Sequence, residues 1–216
     1  MIEVNRCRLY GILDLGYVEC ADAERVASEL LAGGVDILQL RAKKVGAAEI
    51  EEVAAKLHRL TSAAGVPLII NDYPEIAHVV GAEGVHVGQD DLSIARVREM
   101  MGSDCVVGRS THSLAQARQA AAEGADYIGF GPLFATPTKP DYAAIGLEEI
   151  AAVHAEVAVP IFCIGGIKLE NLPAVIAAGA RRVVIVSGLL HAPDIAKYAR
   201  AVKALLNQTS NVTPQT

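Results

Sequence analysis

Short apolar runs recur along the chain, and each is followed by a longer, alanine-rich stretch whose apolar positions repeat with helical spacing. The runs are residues 9–13, 35–40, 67–70, 84–87, 105–107, 127–130, 159–164 and 182–186. They are rich in Val and Ile and bounded by Gly, Pro, Asn or Asp, which predicts buried β-strands. The stretches between them predict helices. One runs from Asp22, a good N-cap, to Ala32 and is stopped by Gly33-Gly34. A longer one spans Ala47 to Ala64 and ends at Gly65. A short helix follows Asn71-Asp72, and others start near Ser93, Ser113, Leu147, Leu169 and Pro193, the last ending at Leu206.

Eight strand–helix units in succession, with strands apolar throughout, predict a parallel sheet covered on both faces. Eight such units can close on themselves as a single compact (β/α)8 TIM barrel, an α/β fold near its ~200-residue lower limit. An open doubly wound sheet is the rival. It usually carries a glycine fingerprint after the first strand, and Gly11-Ile12-Leu13-Asp14 is none. One barrel domain is therefore expected over residues 1–206, followed by a polar, uncharged and disordered tail at 207–216.

Composition narrows the setting. With 216 residues, 52% of them hydrophobic, the chain is long enough for one large core and short for two ordinary domains. No apolar run approaches the ~20 residues of a membrane span, and the N-terminus lacks the pattern of a signal peptide, so a cytoplasmic protein is expected. The four cysteines form no C-x-x-C pair, and Cys105 and Cys163 sit in apolar runs as small core residues. A net charge of −6 with 4% aromatics and no basic run describes a poor nucleic-acid binder. Any anionic ligand must then be met by local cations or by a metal ion.

Candidate chemistry gathers where the runs end, the edge on which barrel enzymes carry their sites. Gln39, Arg41 and Lys43 alternate after the second run, so an amide and two cations share one face at the rim. Asn71-Asp72 and Gln89-Asp90-Asp91 end the third and fourth. A carboxylate at each of these neighbouring ends suits Mg²⁺, with Asp91 the better of its pair; capping or turn roles for Asp90, Asp91 and Asn71 are the ordinary alternative. After the fifth run, Gly108-Arg109-Ser110-Thr111-His112 sets hydroxyls ahead of a helix N-terminus, where anions are favoured, and His112 reads as a base or a structural residue. His86 lies within the fourth run as a satisfied barrel residue, and His58, His78, His154 and His191 read as surface. After the sixth run, Pro132, Pro137 and Pro140 stiffen a loop carrying Thr136, Thr138 and Lys139, two hydroxyls and an ammonium fit for a phosphate. Gly165-Gly166 and Ser187-Gly188, after the last two runs, match a phosphate site built from exposed backbone N–H groups.

Seven ordered motifs then carry a family likeness: QLRAK at 39–43, IIND at 69–72, GVHVGQDDL at 84–92, GRSTHS at 108–113, ADYIGFGPLFATPTK at 125–139, IGGI at 164–167 and VVIVSG at 183–188. From Leu9 to about Leu206 the sequence resembles the thiamine phosphate synthase family. The resemblance implies a transferase that joins a hydroxymethylpyrimidine diphosphate to a thiazole phosphate, giving thiamine phosphate and pyrophosphate. It implies that the stretch Gln39, Leu40, Arg41, Ala42 and Lys43, with Asn71, holds the pyrimidine diphosphate. It further implies that Asp72 and Asp91 carry Mg²⁺, and that Ser110 and Lys139 contact the departing pyrophosphate. Thr136, Pro137, Thr138, Gly166, Val186 and Ser187 would receive the thiazole phosphate. Leu13 stands where the family often has threonine, and Tyr73-Pro74 where many members carry arginine. Rival readings are a thiazole tautomerase on the same barrel, with His112 moving a proton, a non-catalytic binder or regulator of thiamine precursors, and an unrelated phosphate-binding barrel isomerase. A homodimer is the assembly such barrels often adopt.

Overall fold

The computed structural model describes residues 3–136 and 142–208. Eight parallel strands close in sequence order: β1 Leu9–Asp14, β2 Ile37–Arg41, β3 Leu68–Asn71, β4 Gly84–Val87, β5 Val106–Thr111, β6 Tyr127–Phe130, β7 Ile161–Cys163 and β8 Val183–Ile185. The closing pairs run Leu9 beside Val183 and Gly11 beside Ile185. The predicted barrel is the fold. Outside it lie α1 Ala23–Ala32, α2 Ala47–Ala64, α3 Pro74–Val80, α4 Ile94–Met101, α5 Leu114–Ala122, α6 Ile150–Glu156, α7 Leu172–Ala177, α8 Ser187–Leu190 and α9 Ile195–Gln208.

Strand alternation splits the apolar residues into two cores. Leu9, Leu13, Leu38, Leu40, Ile70, Val85, Val107 and Ile128 point outward and pack against the helices. Tyr10, Ile12, Ile37, Ile69, Val106, Tyr127, Phe162 and Val184 point inward and fill the barrel. Three of these are aromatic. The Tyr10, Tyr127 and Phe162 rings meet pairwise at centroid distances of 5.4–5.8 Å in tilted or edge-on contacts. Above this plug, the inward positions turn polar.

The structure departs from the sequence expectations at several edges. β5 continues through Arg109, Ser110 and Thr111, so these residues lie on the strand, and Ser113 is the N-cap of α5, accepting from the Gln116 amide at 3.3 Å. The hydroxyl of Ser110 therefore sits in the barrel, not at a helix N-terminus. Asp22 precedes α1, yet its carboxylate is taken by Arg25 and caps no amide. Ser93 caps α4, which leaves Asp90 and Asp91 outside any capping role. Pro74 opens α3 at a position where its missing N–H costs nothing. His58 and His154 are half-buried, not surface residues. α9 continues through Asn207 and Gln208, two residues into the segment expected as tail; the remainder of that segment lies outside the described residues. No described helix is long and apolar enough to cross a membrane.

Candidate active site

The polar mouth begins with Asp14, the last inward residue of β1 and 2% exposed. It faces Arg41 directly across the β1–β2 register. Its Oδ2 accepts from the Arg41 guanidinium, and its Oδ1 accepts from the Gly16 amide at 2.8 Å. Arg41 thus reaches the mouth anchored by a buried carboxylate. Gln39, one inward step deeper, is 2% exposed and donates from Nε2 to the Tyr10 hydroxyl at 2.7 Å. Lys43 pairs with Asp72 across to β3. Gln39 and Arg41 share the inward face as the alternation predicts, whereas β2 ends at Arg41 and Lys43 sits in the turn beyond it; each of the three is already engaged. Leu40 and Ala42 point the other way into the outer core, so they can offer a ligand only their backbone.

Asp72 follows β3 with φ of +68°, a left-handed conformation that is unusual for a residue with a side chain. The Asp72 N–H donates to the His86 carbonyl at 3.0 Å, which holds this turn in place. The Asp72 carboxyl lies within hydrogen-bonding reach of Asp91. Burial pushes the Asp72 carboxyl up from the ordinary carboxylate range; the neighbouring Asp91 charge adds to this and the Lys43 ammonium opposes it. Asp91 is held by the Gly88 amide, which donates to its Oδ2 at 2.7 Å. The loop carrying Asp91 is in turn strapped to β5. Arg109 donates to the carbonyls of Leu92 and Gln89 at 3.0 and 3.1 Å, and the Gln89 amide donates to the Ser110 carbonyl. Two apposed carboxylates of like charge suit a hard divalent cation. Among the described residues no group of three or more His, Cys, Asp or Glu side chains gathers as a metal site. The donor set therefore matches a cation that takes one or two carboxylates and completes its shell with water and ligand oxygens.

The opposite wall is backbone-rich. After β6 the chain crosses a cis Gly131-Pro132 bond and runs against the end of β7, with Leu133 and Phe134 amides donating to the Ile164 and Gly165 carbonyls at 2.8 and 3.1 Å. The approach is so close that a Cβ on Gly165 would lie 2.4 Å from Pro132 Cα, and Gly165 and Gly166 have φ of +98° and +65°. Asn171 fixes this turn by donating to the Gly166 carbonyl at 2.9 Å and accepting from the Lys168 amide at 2.8 Å. After β8, Val186 leads into α8, whose first residue is Ser187. Loops after the last two strands plus a short extra helix form the usual phosphate seat of such barrels. Sequence reading placed the glycines and the serine there and missed the four-residue helix.

One cavity unites these walls. It is lined by Gln39, Arg41, Asn71, Ser110, Thr136, Gly166, Val186 and Ser187, which are sequence-selected residues, and by Tyr10, His86, Tyr127 and His112. His112 donates from Nδ1 to the Gly131 carbonyl and stacks on Tyr142 with centroids 4.3 Å apart. Asp72, Asp91 and Lys43 are not among its lining residues; they gather around one another, linked as described above, next to Asn71, which does line it. Pro137, Thr138 and Lys139 lie outside the described residues. Asp14, Tyr10 and Tyr127 were not selected from sequence. The signal that finds them is alternation: Tyr10-Ile12-Asp14 share the inward face, opposite Gln39 and Arg41.

Comparison with known proteins agrees with this geometry. The family model described as thiamine monophosphate synthase matches residues 9–189. A thiamine-phosphate synthase of Chloroflexus aurantiacus is 42% identical over 203 residues, covering 94% of both chains. One from Halalkalibacterium halodurans is 40% identical over 202 residues, covering 93% of this chain and 96% of that one. Among solved structures, a thiamine phosphate pyrophosphorylase from Pyrococcus furiosus superposes with a TM-score of 0.86 at 29% identity, covering 94% of this chain and 97% of that chain. A 3-hexulose-6-phosphate synthase, at 20% identity and TM-score 0.68, shares the fold alone. With a barrel whose strand ends bear this polar set, and a family match over most of its length, the chain belongs to the thiamine monophosphate synthase family.

Proposed function

We propose that the chain is a thiamine-phosphate synthase, a transferase condensing 4-amino-2-methyl-5-(diphosphooxymethyl)pyrimidine with thiazole phosphate to thiamine phosphate and pyrophosphate. The observation that carries this reading is the single cavity in which Gln39, Arg41, Asn71 and Ser110 face Thr136, Gly166, Val186 and Ser187. It offers an amide and a cation on one side and a backbone-rich phosphate seat on the other. Gln39, Arg41, Lys43 and Asn71, with the backbone of Leu40 and Ala42, would hold the pyrimidine diphosphate. Thr136, Pro137, Thr138, Gly166, Val186 and Ser187 would hold the thiazole phosphate.

In the reaction the C–O bond between the pyrimidine methylene and the diphosphate breaks, and its electron pair leaves with pyrophosphate. The aminopyrimidine delocalises the cation left behind. The thiazole nitrogen then donates its lone pair to that methylene carbon, and the new C–N bond completes thiamine phosphate. No protein nucleophile is needed, so the work of the chain is to orient two ligands and neutralise developing charge. Asp72 and Asp91 would hold Mg²⁺, which when bound supplies charge neutralisation to the diphosphate oxygens. Arg41, Lys43, Ser110 and Lys139 would meet the remaining oxygens. Lys43, now on Asp72, has a side chain 46% exposed, and its flexible stem would let it transfer from that carboxylate to the diphosphate.

The test is a mixing assay with both substrates and Mg²⁺, detecting thiamine phosphate as fluorescent thiochrome. Product that disappears with chelator is expected, as is at least a tenfold loss in Asp72→Ala and Lys139→Ala, a fall typical of removed charge stabilisation. No product from folded wild-type protein would overturn the reading.

A further inference from the structure

A line of hydrogen bonds crosses the barrel interior through residues that line the cavity. Gln39 Nε2 on β2 donates to the Tyr10 hydroxyl on β1 at 2.7 Å. The Tyr10 and Tyr127 hydroxyls, from β1 and β6, are 2.9 Å apart. Tyr127 Oη is 3.1 Å from His86 Nδ1 on β4, and His86 Nε2 is 3.0 Å from Ser110 Oγ on β5. Five strands thus contribute one residue each to four hydrogen bonds. Gly108 makes the crossing possible, because a Cβ there would lie 2.1 Å from Tyr127 Cζ and 2.6 Å from His86 Nδ1.

The line has a direction. An amide N–H can only donate, so Tyr10 oxygen accepts from Gln39. Tyr10 and Tyr127 are fully buried, and burial pushes both phenols far above their ordinary range, so each keeps its hydrogen. A buried hydroxyl hydrogen without an acceptor is costly. If Tyr127 donated back to Tyr10, the Tyr10 hydrogen would have no acceptor in the line. The arrangement that satisfies every hydrogen runs from Tyr10 to Tyr127 to His86 Nδ1. An Nδ1 that accepts leaves the imidazole proton on Nε2, which donates to Ser110 Oγ. The Ser110 hydrogen is then released toward the cavity that Ser110 lines. Turning the Gln39 amide over would reverse every link, put the proton on Nδ1 and consume the Ser110 hydrogen inside the line.

We propose that this line is a directional wire in which Gln39 and Tyr10 set Tyr127, Tyr127 sets the His86 tautomer, and His86 presents Ser110 as a hydrogen-bond donor to the anionic ligand. Tyr127 and His86 are positioning residues that act through Ser110. The anion-donor role of Ser110 rests on the proposed function; the tautomer does not. The wire also links the amide assigned to the pyrimidine end of the site with the hydroxyl assigned to the pyrophosphate end.

The first measurement is ¹⁵N NMR of the imidazole nitrogens of the wild-type protein, with no ligand, at pH 8. A protonated Nε2 and a bare Nδ1 on His86 are expected, and an Nδ1-protonated ring overturns the wire without bearing on the activity. The second is binding of inorganic pyrophosphate with Mg²⁺ to wild type, Tyr127→Phe, Ser110→Ala and the double variant, each checked for folding by circular dichroism. Tyr127→Phe is expected to weaken binding about tenfold, as for one oriented hydrogen bond to a charged group, and to leave the His86 tautomer mixed. The double variant should bind no more weakly than Ser110→Ala alone. Additive losses would overturn the claim that Tyr127 acts through Ser110. Because the NMR reading of the wild type needs no variant to fold and no turnover, failure of the wire and failure of the synthase reading are separately visible.

Discussion

Arg41 and Lys43 both arrive at the mouth paired, but the two pairs differ in kind. The Arg41 side chain is 17% exposed and that of its partner Asp14 only 3%, whereas the Lys43 side chain is 46% exposed and that of Asp72 13%. The first pair is a fixed post and the second a transferable contact. Asp14→Asn should therefore cost about 3 kcal/mol of stability, since it strands a largely buried guanidinium. It should also raise KM for the pyrimidine diphosphate about tenfold with a smaller fall in kcat, because a loosened Arg41 mainly loses ground-state positioning. Denaturant unfolding and steady-state kinetics check both parts; an unchanged KM in a folded variant would remove Asp14 from the positioning role. The sequence made Arg41 legible and left Asp14 hidden. A cation after an apolar run announces itself, but a carboxylate ending such a run is indistinguishable from a turn residue until the register pairs it. His86 was readable as a satisfied barrel residue, though not what satisfies it, since its partners come from strands 24 and 41 residues away.

Elements were legible as far as apolarity marks them. Apolar runs mark all eight strands, but β5 extends past Val107 through Arg109, Ser110 and Thr111, because in a barrel mouth polar residues continue the strand. The same property makes the polar strand ends rigid. Arg109, one position from Ser110, serves as a strut, with its guanidinium spent on carbonyls of the loop that carries Asp91. Arg109→Ala should release that loop while leaving the thiazole side untouched. We expect the Mg²⁺ concentration for half-maximal activity to rise about tenfold, within the range seen when supports behind metal ligands are removed. KM for thiazole phosphate should stay within twofold of the wild-type value. A Mg²⁺ requirement that does not move would show that the Arg109 strut does not position Asp91. The short helix α8 escaped sequence reading because four residues carry no periodicity to detect.

At the scale of the whole molecule the two ends of the barrel carry opposite problems. The C-terminal mouth gathers carboxylates, whereas the opposite end sets Arg181 and Arg182 beside the half-buried His154 of α6, with Arg8 next to Arg182. Burial drives the His154 pKa down from 6.5 to about 4, and the Arg181 and Arg182 charges push it the same way. Its Nε2 is buried with no hydrogen-bond partner among the described residues. The folded chain thus keeps this imidazole neutral where the unfolded chain would protonate it. Between pH 6.5 and about 4 the unfolded state binds more protons at this position, so its contribution to stability is complete above 6.5 and is lost as pH falls toward 4. Partial solvent exposure reduces the ideal linkage to about 1 kcal/mol between pH 7 and 5, or about 2–4 °C in thermal midpoint for a domain of this size. His154→Gln should match the wild type at pH 8, lose less on acidification by that margin, and retain full activity, since α6 presents this residue at the end of the barrel away from the mouth. Thermal melts of both proteins from pH 8 to 5 test it. Parallel curves would mean that the acid response belongs to the carboxylates of the mouth, and that the end of the barrel opposite the chemistry is indifferent to pH.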